Sequence, residues 1–238
     1  MTPPRSGKAL DTSARSSSSS EVSAFLERVN ALGAAAEPSQ RGRLIFAMDA
    51  TMSRQPTWDM AIGLQAEMFR AIPADRHLMV QLLYFRGIGE CRASKWVEDP
   101  SSLSRLMSGI ACQGGNTQIG RVFSHARQEH ARERVNALVY VGDAMEENVD
   151  RLAQAAGELG LLGCPVFVFQ EGREPVAEGA FREFARVSKG AYARFDAGAP
   201  KELGDLLRAV AAYATGGRNA LKLQSSRPAR LLLEQMGK

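Results

Sequence analysis

The sequence predicts an α/β domain in which a mostly parallel sheet is covered by helices on both faces, and three observations carry that expectation. Short apolar runs recur along the chain, at 44–48, 135–141 and 165–170, and they are nearly continuous rather than alternating, as strands buried on both faces require. Between them lie segments whose apolar residues fall at helical spacing, and alternation of this kind winds helices over both faces of one sheet. Two of the runs end in acidic or hydroxyl residues, placed where an open parallel sheet keeps its functional crevice, beyond the carboxyl ends of the strands.

Taken in order, residues 1–20 are Ser-rich with few apolar groups and are expected to be a disordered tail. Residues 21–40 are read as a helix and linker, with Val22, Phe25, Leu26, Val29 and Leu32 on one stripe. A domain is expected over 41–216. It opens with the strand at 44–48 and a helix over 56–72, striped by Trp58, Ile62, Ala66, Phe69 and Ile72. A second stripe, Met60, Leu64 and Met68, predicts burial under a neighbouring element, with a methionine-rich partner surface as the alternative. A strand follows at 77–85, then Gly87-Ile88-Gly89-Glu90 as a hairpin turn into a short antiparallel edge strand at 91–97.

A short helix is expected at 100–107, and a longer one from Gln118 carrying Ile119, Val122, Phe123 and Ala126. Next come a strand at 135–141, a helix at 146–162, a strand at 165–170, a helix at 176–188, a strand at 191–195 and a helix at 201–214, closed by Gly216-Gly217. Residues 217–238 form a basic and apolar tail. Its Leu221, Leu223, Leu231, Leu232, Leu233 and Met236 are too apolar for full solvation, and Arg227-Pro228 interrupts it, so a short helix after Pro228 is expected to dock on the domain or a partner.

With 238 residues, 45% hydrophobic and 24% charged, the chain has room for one sizeable core with tails. No apolar run approaches the roughly 20 residues of a membrane span, and the start lacks an apolar signal core, so the expected location is the cytoplasm. Cys91, Cys112 and Cys164 are odd in number and widely spaced, which predicts reduced thiols rather than a disulfide framework or a zinc site. The formal charge of +4 is concentrated at the ends, in Arg5, Lys8, Arg15, Arg218, Lys222, Arg227 and Arg230, and argues against a nucleic-acid face on the domain.

The candidate site starts from Asp49, Thr51 and Ser53. Alternate residues of an extended segment share a side, so these three oxygens can converge beyond the first strand and suit a hard cation. Two further donors fall where the chain returns to the same end of the sheet: Thr117, behind Gly114-Gly115-Asn116, and Asp143, after the strand at 135–141. The alternative is that Asp49, Thr51 and Ser53 cap the helix that follows. Glu146 and Glu147 are expected in the first turn of a helix as dipole partners, with a ligand role as the alternative, and His125 and His130 on a solvated helix face.

The combination of Asp49-x-Thr51-x-Ser53, Thr117 behind Gly114-Gly115 and Asp143 ending a later strand resembles the metal-ion-dependent adhesion site of the von Willebrand factor A family, of the intracellular bacterial type. The resemblance spans about 41–216 and departs where Ala144 follows Asp143, a position at which the family usually has Gly. It implies a three-layer, Rossmann-like, doubly wound sheet. It further implies a magnesium or manganese ion coordinated directly by Thr51 and Ser53, by Thr117 directly or through water, and by Asp49 and Asp143 largely through waters. Such an ion is short of negative charge and accepts a carboxylate from a partner protein, so the implied function is non-enzymatic binding. One alternative is an adaptor of a cytoplasmic ATPase-type machine with a vestigial metal site. Another is a metal-dependent hydrolase of the haloacid-dehalogenase type, which wants Asp-x-Asp where this chain has Thr51, and a neutral hydroxyl is a poor general acid near neutral pH. Neither a Gly-x-x-x-x-Gly-Lys loop nor a Gly-x-Ser-x-Gly elbow is present.

Overall fold

A computed structural model describes residues 41–196 and 198–237, so the tail expected at 1–20 and the helix and linker expected at 21–40 lie outside the described residues. Strands β1 (Arg41–Asp49), β2 (His77–Arg86), β3 (Glu90–Val97), β4 (Ala137–Gly142), β5 (Val166–Glu171) and β6 (Ala191–Phe195) form one sheet in the order β3-β2-β1-β4-β5-β6. Every neighbouring pair is parallel except β2 and β3, the hairpin expected at the edge.

Eight helices accompany the sheet among the described residues: α1 (Gln55–Leu64), α2 (Ala66–Arg70), α3 (Pro100–Ser108), α4 (Ile119–Arg132), α5 (Val149–Leu161), α6 (Pro175–Val187), α7 (Pro200–Lys222) and α8 (Arg227–Met236). The pleat of β1 divides them. Leu44, Phe46 and Met48 pack with α1, α2, α3, α7 and α8 on one face, while Ile45 and Ala47 pack with α4, α5 and α6 on the other. The result is the expected three-layer, doubly wound architecture. Strand order reverses between β1 and β4, so the carboxyl ends of those two strands border the natural crevice.

Several element boundaries differ from the expectation. The helix expected over 56–72 is divided at Gln65, although that residue keeps helical angles (φ −58°, ψ −28°) and its N–H bonds to Ala61 O. Met60 and Leu64 pack partly buried and Met68 fully buried in the core, so the second stripe is an inward face. The helix expected from 146 begins only at Val149, because Asn148 takes the N-cap and accepts from Arg151 N at 3.0 Å. Glu146 and Glu147 therefore precede the helix instead of lying in its first turn. His125 and His130 are half-buried rather than solvated: His125 Nε2 is 2.8 Å from Gln81 Oε1, and His130 Nδ1 meets Val135.

Helix α7 is broken at Gly217, where the expected stop falls: φ 62° and ψ −158° make a kink that suits a residue without Cβ, and a second helical segment runs on from it to Lys222. The stretch read as a tail then folds back on the domain. Ser226 caps α8, Pro228 occupies its first turn, and Ala229 and Leu232 are fully buried. Gln235 lies against the edge strand: its Oε1 accepts from Tyr192 N (2.9 Å) and its Nε2 donates to Tyr192 O (2.8 Å).

Candidate metal centre

Asp49 is the last residue of β1, and the parallel register that pairs Met48 with Val141 brings the end of β4 alongside it. Its side chain turns back on its own loop, where Oδ1 accepts from Thr51 N at 2.7 Å. The chain then makes a short 3-10 turn, Met52–Arg54, in which Thr51 holds the N-cap position without any side-chain capping bond, and Arg54 before α1 makes none either. Capping thus leaves the loop's hydroxyls free. Thr51 Oγ1 and Ser53 Oγ are instead 3.4 Å apart, and Ser53 Oγ donates to Asp143 Oδ2 at 3.1 Å, linking the loops after β1 and β4.

The third loop is held by backbone. Gln113 N donates to Ala50 O (3.0 Å) and Asn116 N to Gly87 O (3.4 Å), which anchors 113–116 between the end of β1 and the β2–β3 turn. The approach is close enough that a Cβ on Gly115 would stand 2.1 Å from Gly87 O, so this position tolerates only glycine. Thr117 follows, its N–H donating to Glu146 Oε2 (3.2 Å) while its Oγ1 accepts from Glu146 N (3.1 Å). Glu147 does a different job: its carboxylate receives Ile119 N (2.5 Å) and Gly120 N (3.0 Å) and so caps α4 from another loop.

Asp49, Thr51, Ser53, Thr117 and Asp143 together line one open cleft of about 210 Å³, with Met52, Gly114, Gly115, Ala144 and Glu146 completing its walls. All five sequence-selected residues therefore meet. Glu146 reaches the wall and Glu147 does not. What sequence reasoning missed is Arg54, 1% exposed beneath the cleft. Its Nη1 donates to Glu171 Oε2, which also receives Thr57 Oγ1, and lies 3.9 Å from Asp143 Oδ2. An arginine directly after the Asp-x-Thr-x-Ser run, at the start of a helix with buried neighbours, was the available signal.

The electrostatics follow from burial. Asp49 is 1% exposed, and loss of hydration raises its pKa from 3.8 to about 6, with the Asp143 charge adding to the rise and the Thr51 hydrogen bonds and Arg54 opposing it. Arg54 is shifted below the usual arginine value by its own burial, against the pull of Asp143 and Asp49. Burial raises the Tyr140 hydroxyl, which has no hydrogen-bond partner among the described residues, well above its usual value.

This donor set suits a hard divalent ion. Among the described residues no group of three or more His, Cys, Asp or Glu is placed to hold a metal. The cleft offers the carboxylates of Asp49, Asp143 and Glu146 and the hydroxyls of Thr51, Ser53 and Thr117, oxygen donors of the type that magnesium takes alongside retained water.

No protein-family model and no curated protein matches the sequence. Solved structures do match. The chain is similar to an aerotolerance-related membrane protein from Bacteroides fragilis, at 19% identity over 70% of this chain and 98% of that one, with a TM-score of 0.53. It is similar to a von Willebrand factor type A protein from Catenulispora acidiphila, at 14% identity over 74% of this chain and 43% of that one, with a TM-score of 0.59. A third is proximal thread matrix protein 1 from the mussel byssus with a zinc-occupied metal-ion-dependent adhesion site, at 13% identity over 81% of this chain and 52% of that one, with a TM-score of 0.61. The chain spans about half the length of the latter two. Among the described residues no helix is long and apolar enough to cross a membrane. Strand order, the antiparallel edge and these likenesses agree: the chain has the von Willebrand factor A fold.

Proposed function

We propose that this chain is a non-enzymatic protein-binding module whose cleft holds magnesium or manganese on Asp49, Thr51, Ser53, Thr117 and Asp143. The observation that supports this reading is the meeting of those five side chains, from three separate loops, at the point where strand order reverses. Bound there, the ion supplies an electrophilic centre able to accept a carboxylate from an acidic side chain of a partner protein. The chain's own residues do the positioning: Asp49 fixes Thr51 through its backbone N–H, Ser53 orients Asp143, and Glu146 N holds the Thr117 hydroxyl. Their large share of neutral hydroxyls leaves the ion under-neutralised, which favours an anionic partner and keeps metal affinity low.

Calorimetric titration of manganese into the wild type and Ser53→Ala tests the site; saturable heat is expected in the first and lost in the second, and equal heats remove the site. A library of immobilised peptides then tests the partner chemistry. Peptides retained with manganese and released by chelator should carry Asp or Glu, and equal retention of their Asn and Gln counterparts refutes a carboxylate ligand.

A further inference from the structure

Arg54 is a poor fit to a purely structural role. Its guanidinium is enclosed beneath the cleft, yet Nε and Nη2 are buried without hydrogen-bond partners among the described residues, and a single atom, Nη1, faces both acidic neighbours. Burying a guanidinium with two of its three nitrogens unsatisfied is costly unless its charge is needed where it sits. The charges around it say where that is. Asp143 Oδ2, which already accepts from Ser53, lies 3.9 Å from Nη1; Glu171, at the end of β5, receives Nη1 and is steadied by Thr57; and Asp49 is close enough to interact electrostatically. The positive charge thus stands behind the carboxylates that line the cleft, on the side away from solvent.

We propose that Arg54 is a resident counter-cation of the cleft: its guanidinium, shared between Asp143 and Glu171, holds the carboxylates together when no metal is bound and keeps divalent-ion affinity low. The inference rests on the metal reading above and concerns its regulation. An ion entering the cleft meets a carboxylate whose charge is already partly neutralised, and is itself repelled by a cation fixed nearby in a partly dry setting. Glu171 sets how much of that repulsion is felt, because it withdraws part of the guanidinium's charge. The cleft then fills only at high divalent-ion concentration, and binding of the ion and of its partner becomes conditional on that concentration.

The test measures manganese affinity by calorimetry on the full chain as wild type, Arg54→Gln, Arg54→Lys and Glu171→Gln, with thermal melts in chelator and in excess magnesium. Removing the charge in Arg54→Gln should tighten manganese binding about tenfold, since repulsion between a fixed cation and a divalent ion a few ångströms away is relieved. It should also lower the chelator melting temperature and enlarge the magnesium-induced rise. Arg54→Lys, which keeps the charge, should remain near wild type, and Glu171→Gln should weaken binding. If Arg54→Gln and Glu171→Gln weaken binding alike, the pair only shapes the loop and the inference is overturned while the metal reading stands. Absence of saturable heat in all four proteins overturns the metal reading itself. Should Arg54→Gln fail to fold, Arg54→Met takes its place: tighter manganese binding supports the inference, and unchanged or weaker binding overturns it.

Discussion

Replacing Asp49 by Asn should stabilise the metal-free domain, and the size of the effect follows from its burial. Asn keeps the volume and the Oδ1 that accepts from Thr51 N, but cannot ionise. In the folded chain the Asp49 carboxyl titrates at about 6 instead of 3.8, and at about 1.4 kcal/mol per pH unit its ionised form costs roughly 3 kcal/mol at pH 7.5. The sign follows from the direction. A carboxyl raised on folding contributes its stability in full below pH 3.8 and loses it as pH rises through about 6. Asp49→Asn should therefore melt higher than wild type in chelator at pH 7.5, by about 6–12 °C if each kcal/mol is worth about 2–4 °C in a domain of this size. At pH 4.5 the advantage shrinks to about 1 kcal/mol, because most of the wild-type carboxyl is then protonated. Excess magnesium at pH 7.5 should raise the wild type and leave Asp49→Asn unmoved. Melts of both proteins under the three conditions suffice. A variant less stable than wild type by the same margin at both pH values refutes the reasoning, and identical melts throughout would mean that Asp49 does no more than hold its loop.

Three further outcomes are expected. Glu147→Gln, which weakens the charged cap on Ile119 and Gly120 N–H, should lower stability in urea by about 0.5–1 kcal/mol without changing manganese affinity. Gly115→Ala should abolish saturable manganese heat, because its Cβ would displace the β2–β3 turn and carry Thr117 with it, while far-ultraviolet dichroism stays native. Leu232→Ala should cost about 2–5 kcal/mol in urea unfolding, since the side chain is fully buried in the core; a loss below about 0.5 kcal/mol would show that α8 is a dispensable attachment.

The architecture was legible in the sequence because its strands announce themselves by continuous burial. Every residue from Gly42 to Ala50 is buried, and only parallel strands covered on both faces demand such a run. Asp49, Thr51, Ser53 and Asp143 were legible because they follow strand ends, which chain direction in a parallel sheet puts on one side, and Thr117 because a Gly-Gly loop precedes it. Charged residues whose partners lie far along the chain were not. Glu129 sits in a run of charged helix residues that reads as solvated, yet it is 6% exposed because Trp96 Nε1 donates to it at 3.0 Å from the edge strand and Arg43 lies 3.5 Å away on β1. Arg54 was hidden for the same reason, its counterpart Glu171 belonging to a strand end more than a hundred residues later. Glu146 and Glu147 were misplaced into a helix because acidic residues before an apolar stripe look alike whether they serve their own helix or another.

The contact between Gln235 and Tyr192 bears on how this domain meets copies of itself. A parallel sheet leaves raw backbone at each margin, and such a margin is a template for a strand from another molecule. Here one carboxamide answers both the N–H and the C=O of the outermost strand's Tyr192, imitating a neighbouring peptide group with a side chain carried on a helix. The opposite margin, β3, is irregular in register near Gln81 and exposes Arg92 and Lys95. With one margin answered by its own amide and the other irregular and charged, the sheet is a poor seed for fibrils.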